Sequence, residues 1–109
     1  DYTTRAKVSE LILSASSART CVTEQAQNGG GTVPSTVAAD CSIAAIGRVA
    51  TATVSNAGLI TITGTSGSAS NKVGQAVTVT MTPTTATGGT LTWACNGIPL
   101  KFVPSSCRG

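Results

Sequence analysis

Hydrophobic residues in the first quarter of the chain recur at steps of three and four, from residue 8 to residue 22. This spacing places them on one stripe of a helix with 3.6 residues per turn. The pattern predicts one long helix over residues 1–27, and the Asn-Gly-Gly-Gly run at 28–31 is a strong stop signal. No capping residue precedes the periodic run, so the helix lacks a start signal. The stripe consists of Val8, Leu11, Ile12, Ala15, Ala18 and Val22.

Beyond residue 46 the hydrophobic period shortens to two, which is typical of strands with one buried face. The clearest alternation places Val77, Val79 and Met81 on the inner face, with threonines between them on the outer face. Proline has no backbone N–H, so Pro83 is expected to end that strand. The predicted strands cover residues 47–55, 59–64, 75–82 and 90–95.

These elements predict an α+β fold in a single domain, residues 1–109. The long N-terminal helix packs its stripe on one face of a four-stranded antiparallel sheet at 47–95. The Asn-Ala-Gly turn at 56–58 makes a hairpin of the first two strands. Residues 65–74 are polar and small, which indicates a surface loop. Trp93 is expected in the core.

Two irregular segments complete the chain. Residues 28–46 form a connecting αβ-loop, with one short helical turn expected at 40–45. The tail begins with an Asn-Gly turn at 96–97 and contains two prolines, which deny it a regular ladder. Leu100, Phe102 and Val103 are its apolar residues, and they are expected to anchor it on the sheet edge.

The composition is poor in charge. Only 10% of the residues are charged, against roughly 25% in an ordinary soluble domain. Aromatic residues make up 3%, so an aliphatic core is expected. The net charge is +3, and the cations are scattered rather than gathered in the dense basic face typical of a nucleic-acid module.

Four cysteines in such a chain indicate two disulfides and an oxidising compartment. Four cysteines allow three pairings. The local pairing, Cys21 with Cys41 and Cys95 with Cys107, keeps each bridge inside its own segment. It would close loops of about 20 and 12 residues, each worth about 3 kcal/mol in the chain-entropy model. Zinc is disfavoured because the chain has neither a Cys-x-x-Cys pair nor a histidine.

A search of the sequence for an active site is negative. The chain has no histidine and only four carboxylates. Asp1, Glu10 and Glu24 are spread along the helix, and Asp40 stands alone in a loop, so none forms a catalytic pair. The glycine-rich runs carry no phosphate-binding lysine. The sequence therefore predicts no enzyme and no catalytic, cofactor or metal site.

Two motifs at opposite ends of the chain resemble type IV pilins of Gram-negative bacteria. The stretch DYTTRAKVSE at 1–10 resembles the part of the first helix that follows its membrane-embedded half. The stretch WACNGIPLKFVPSSCR at 93–108 resembles the family's C-terminal disulfide-bounded loop, here 95–107. The resemblance implies the pilin fold and, before residue 1, a cleaved leader and an apolar helix half. The present residues then correspond to an N-terminally truncated, soluble headgroup, monomeric by itself.

The resemblance implies a structural subunit, a major pilin that polymerises with other copies into an extracellular filament. It implies a precursor inserted in the inner membrane, and roles in adhesion, twitching motility or DNA uptake, with host surfaces, abiotic surfaces or DNA as partners. The alternatives are a minor pilin, a secretion pseudopilin, or a DNA receptor for natural transformation. Adhesion or DNA contact would require scattered cations to converge in space. The candidates are Arg48, Lys72, Lys101 and Arg108.

Overall fold

Helix α1, Tyr2–Asn28, confirms the helix predicted at the start of the chain. The computed structural model describes residues 2–28, 30, 33, 36–45, 47–67, 72–85, 91–98, 102, 103 and 107, so Asp1 lies outside it. At about 1.5 Å per residue the helix is about 40 Å long, close to the longest extent of the molecule, 44 Å. It ends where the glycine run begins, and Gly30 follows it with a φ of 79°.

The predicted stripe of α1 is the face that packs on the sheet. Leu11 and Val8 are fully buried, and Ile12, at the margin of the stripe, is half-buried. The helix crosses the two central strands, so the main core lies between them and the middle of the helix. The buried residues of α1 are Val8, Leu11, Ala15, Ala18, Val22 and Ala26.

The short helix α2, Val37–Asp40, corrects the helical turn predicted at 40–45, because residues 42–45 have no regular structure. One turn at this earlier position directs both Val37 and Cys41, four residues apart, toward α1. Val37 and Cys41 are buried in a small cluster with Val22. Cys41 is bonded to Cys21 of α1, with 5.6 Å between their Cα atoms. Burial and the bridge together position this turn.

Four antiparallel strands form one sheet in the order β1-β2-β3-β4. They are β1 (Thr51–Val54), β2 (Ile60–Gly64), β3 (Val77–Thr85) and β4 (Leu91–Ile98). Each strand pairs with the next in sequence. The expected turn joins β1 to β2, and Gly58 takes a φ of 87°, which favours glycine.

The inner face of the sheet carries the predicted aliphatic residues, and the outer face carries threonine. Ile60, Ile62, Val77, Val79 and Met81 are all buried. Trp93 shares the inner side, as predicted, but is half-buried, because β4 lies at the edge of the sheet, beyond the strands that α1 crosses.

Strand β3 continues through Pro83, so the prediction that this proline ends the strand is wrong. Pro83 pairs with Trp93, and the ladder extends to Thr85. The last pair between β2 and β3 is Ile60 with Met81, so beyond Met81 the strand has a partner on one side only. A strand segment with a neighbour on only one side tolerates proline, because no second neighbouring strand needs an N–H from it.

The predicted turn at Asn96-Gly97 is also wrong, since both residues lie within β4, opposite Thr80 and Val79. Glycine is needed at 97 for a different reason. A Cβ atom placed there would lie 2.3 Å from a methyl carbon of Val103, so the returning tail packs directly on the backbone of β4.

The tail is held as the sequence predicts. Cys95 and Cys107 form a disulfide, with 4.4 Å between their Cα atoms. Phe102 and Val103 are buried in the main core, whereas Leu100 lies outside the described residues.

Residues 65–74 are not wholly a surface loop. Val73 is fully buried in the main core, and its N–H donates to the carbonyl of Thr65. A single apolar residue in a polar stretch has no period by which a sequence pattern can detect it.

Candidate functional surfaces

The outer face of the sheet carries no charged side chain within the four strands. The sequences of β1 to β4 contain neither acidic nor basic residues. Natural sheets commonly carry lysine or other charges on their exposed edge strands, where these charges prevent edge-to-edge contact. The strands of this sheet, edge strands included, carry none. An uncharged face can be covered by another surface without the desolvation of an ion, so this face is suited to contact with a neighbouring molecule.

Threonines form two ranks across this face. In one rank Thr51 lies opposite Thr63, which lies opposite Thr78. The second rank is displaced by two residues along each strand and consists of Thr53, Thr61 and Thr80. The hydroxyls of Thr51 and Thr63 are hydrogen-bonded to each other. The ranks give the face short, β-branched side chains of uniform height.

Leu13 is the most exposed large hydrophobic residue among the described residues, with 72% of its surface accessible, followed by Ile98 of β4 with 69%. Leu13 lies in a groove between α1 and the end of the αβ-loop. The part of the groove next to Ile43 and Ala44 has a volume of about 370 Å³. Leu13 and Ile98 lie in different layers of the fold, on the helix and on the sheet, and so are two separate exposed apolar side chains.

The structure describes two of the four candidate cations, and Arg48 contacts the backbone of Lys72. A guanidinium N–H of Arg48 donates to the backbone carbonyl of Lys72, with 2.6 Å between nitrogen and oxygen. Lys101 and Arg108 lie outside the described residues. A surface built from all four therefore stays a prediction.

Arg48 also makes a contact that sequence reasoning missed. Its Nε–H donates to a carboxylate oxygen of Glu10 on α1. One side chain thus links the helix, the segment before β1 and the segment before β3. These partners are 38 and 24 residues away along the chain, so no local spacing could have revealed them. Because Glu10 already neutralises Arg48, this cation contributes less to an electropositive surface than its formal charge suggests.

We expect the Arg48→Gln substitution to lower the free energy of unfolding by about 1 kcal/mol, because it removes the ion pair and the hydrogen bond to Lys72. Glu10→Gln removes only the ion pair and should cost less. The side chains are 22% and 55% exposed, so a double-mutant cycle should give a coupling energy of about 0.5 kcal/mol that falls with added salt.

Urea unfolding at two salt concentrations measures these values, with Glu24→Gln as the control on the same helix. A coupling energy of zero at low salt would show that the pair contributes nothing.

The described residues contain no group of three or more side chains suited to hold a metal ion. Over the same part of the chain, neither helix combines the length and the apolar character needed to cross a bilayer.

A family model described as pilin, bacterial filament, matches residues 4–108. The match includes the long helix, the αβ-loop, all four strands and both cysteines of the C-terminal bridge. The family is structural and non-enzymatic.

Proposed function

Since the chain belongs to the pilin family of bacterial filament proteins, we propose that it is the major subunit of a type IV pilus. As a pilin it is a structural subunit that assembles with other pilin subunits into an extracellular pilus. The proposal goes further, because it states that this chain makes up most of the filament and is not a minor subunit or a tip subunit.

The uncharged sheet is the observation that carries this proposal. A major subunit has copies of itself on several sides, and every charge on a covered face would need a partner or would lose its hydration. The cores of protein interfaces are accordingly depleted of charged residues. A sheet with no charged residue in any strand meets this condition within its four strands.

The two exposed apolar side chains, Leu13 and Ile98, support the same assignment. A contact between different surfaces of two copies is heterologous, and such contacts continue into a helical filament when the rotation does not close. Leu13 and Ile98 offer apolar area in different layers of the fold. Both disulfides would help an extracellular subunit, since each removes conformational freedom from the unfolded chain.

The test is deletion of the gene in the bacterium that produces the protein, with electron microscopy of the cells and composition analysis of sheared filaments. We expect cells without pili, and this chain as the main component of filaments from the parent strain. Normal piliation after deletion would overturn the assignment to the major subunit.

The same strain tests the alternative of a DNA receptor, for which Arg48, Lys72, Lys101 and Arg108 are the candidate contacts. Normal piliation combined with a loss of DNA uptake would assign that function. Normal piliation with normal DNA uptake would instead favour a minor pilin.

A further inference from the structure

A cleft lies between α1 and β4, on the side of the helix away from Leu13 and the αβ-loop. It has a volume of about 240 Å³. This volume is somewhat below the roughly 300 Å³ at which pockets for drug-sized ligands begin, so the cleft suits one small molecule. The Cys95–Cys107 bridge lines part of it. The cleft is separate from the outer sheet face on which the proposed filament contacts rest.

The helix wall of the cleft consists of Ile12, Ser16 and Arg19. These residues are spaced at i, i+4 and i+7 and therefore lie on one stripe, turned toward β4. Arg19 is exposed, and no carboxylate among the described residues forms an ion pair with its guanidinium. This wall therefore carries the hydroxyl of Ser16, the cationic side chain of Arg19 and the aliphatic side chain of Ile12.

The sheet wall consists of Trp93 and Met81. The indole N–H of Trp93 donates to the hydroxyl of Thr23, with 3.0 Å between nitrogen and oxygen. That hydroxyl in turn donates to the backbone carbonyl of Arg19, at 2.8 Å. This chain of hydrogen bonds satisfies the one polar atom of the indole and holds the ring in place. What Trp93 presents to the cleft is therefore an apolar, preoriented surface.

We propose that the cleft binds a small amphipathic carboxylate, that is, an apolar body carrying one carboxylate group. The body lies against Trp93 and Met81. The carboxylate accepts hydrogen bonds from the Arg19 guanidinium, whose forked donors match a carboxylate in two-point contact. Ser16 supplies one further donor beside it.

The two walls differ in chemistry, so simpler ligands would use only one of them. A purely apolar molecule would make no contact with the guanidinium that depends on its charge, and a small inorganic anion would leave the apolar wall uncovered. A molecule with both parts contacts both walls. Binding at this cleft does not depend on the assignment to the major subunit, so the two proposals fail independently.

The chain supplies two unique reporters of this cleft, since Trp93 is its only tryptophan and Met81 its only methionine. We suggest titrating the protein with cyclohexanecarboxylate while recording tryptophan fluorescence and the single methionine methyl resonance. Both signals should saturate together, and binding should weaken as salt is added. Acetate has the carboxylate charge but lacks the apolar ring, and cyclohexylmethanol has the ring but no charge. Both should therefore bind at least about tenfold more weakly than cyclohexanecarboxylate.

Arg19→Gln should weaken binding of cyclohexanecarboxylate at least about tenfold, because a charge-assisted contact is lost. Arg19→Lys should retain part of the affinity. Lys7→Gln is the matched control, since it removes one charge from the same helix outside the cleft and should leave binding unchanged. Equal thermal unfolding midpoints would show that the variants remain folded.

Three results would overturn the proposal: no saturable response in either reporter, an equal response to cyclohexylmethanol, or unchanged binding by Arg19→Gln. N-acetyl-leucine distinguishes the possible sources of the ligand. Binding tighter than that of cyclohexanecarboxylate would support the C-terminus of a polypeptide, and weaker binding would support a free acid.

Discussion

Leu11→Ala is expected to lower the free energy of unfolding by about 3 kcal/mol, because it opens a cavity where the helix meets the sheet. Leu11 is fully buried. A Cβ atom built on Gly64 would lie 3.0 Å from a methyl carbon of Leu11 and 2.7 Å from one of Val73. The backbone of β2 thus already approaches these side chains closely, so the surroundings have little freedom to collapse into the space.

Leu13→Ala is the matched control for this experiment. It makes the same chemical change on the same helix two residues away, but Leu13 is 72% exposed, so the loss should be below about 0.5 kcal/mol. Helix propensity changes equally in both variants and cancels in the comparison. Urea unfolding followed by circular dichroism gives both values. A difference of less than about 1 kcal/mol would contradict the assigned core.

Removal of the Cys95–Cys107 bridge, by Cys95→Ala with Cys107→Ala, is expected to cost at least about 3 kcal/mol. The closure of a loop with a sequence separation of 12 residues accounts for most of it. The remainder comes from Phe102 and Val103, which are buried in the main core beside Cys107. Without the bridge these residues lose the covalent link that holds the tail beside them in the core.

Removal of the Cys21–Cys41 bridge is the comparison that separates the two contributions. Its sequence separation is 20 residues, so chain entropy alone makes it the more stabilising bridge by about 0.5 kcal/mol. We expect the opposite order, because the tail buries more apolar surface in the main core than α2 does in its small cluster. Urea unfolding of both double variants measures the order. A larger loss from the Cys21–Cys41 variant would show that loop entropy dominates.

Much of the fold follows from short-range pattern. The helix stripe that contains Leu11 and the alternation of Val77, Val79 and Met81 repeat over several turns or pairs, so one residue out of place does not hide them. The end of the tail also follows, since Cys107 forms the expected bridge and Phe102 and Val103 are buried.

The errors have a common physical cause, which is that the arrangement of segments far apart in the chain overrides the local preference of a residue. Pro83 stays in β3 because β2 ends earlier on one side. Gly97 lies in a strand, where Val103 requires the absence of a side chain. Val73 enters the core from a polar loop.

The candidate surfaces also have features that can be predicted from the sequence and features that depend on the tertiary structure. The charge-free composition of the strands is readable along the chain, and so is the threonine alternation. The ranks of threonines require the register between strands, and the neutralisation of Arg48 requires the approach of Glu10. The cleft beside Trp93 requires the placement of β4 beyond the strands that α1 crosses.

The sequence by itself determined the class of fold, the inner and outer residues of the central strands, and the resemblance to pilins that the family match bears out. Each of these depends on periodicity or on motifs within a few tens of residues. Only the tertiary structure decided where β3 and β4 end, which cations are already paired, and which side of the helix faces Trp93. These depend on contacts between segments far apart in the chain, whose free energies outweigh local preferences of about 1 kcal/mol or less.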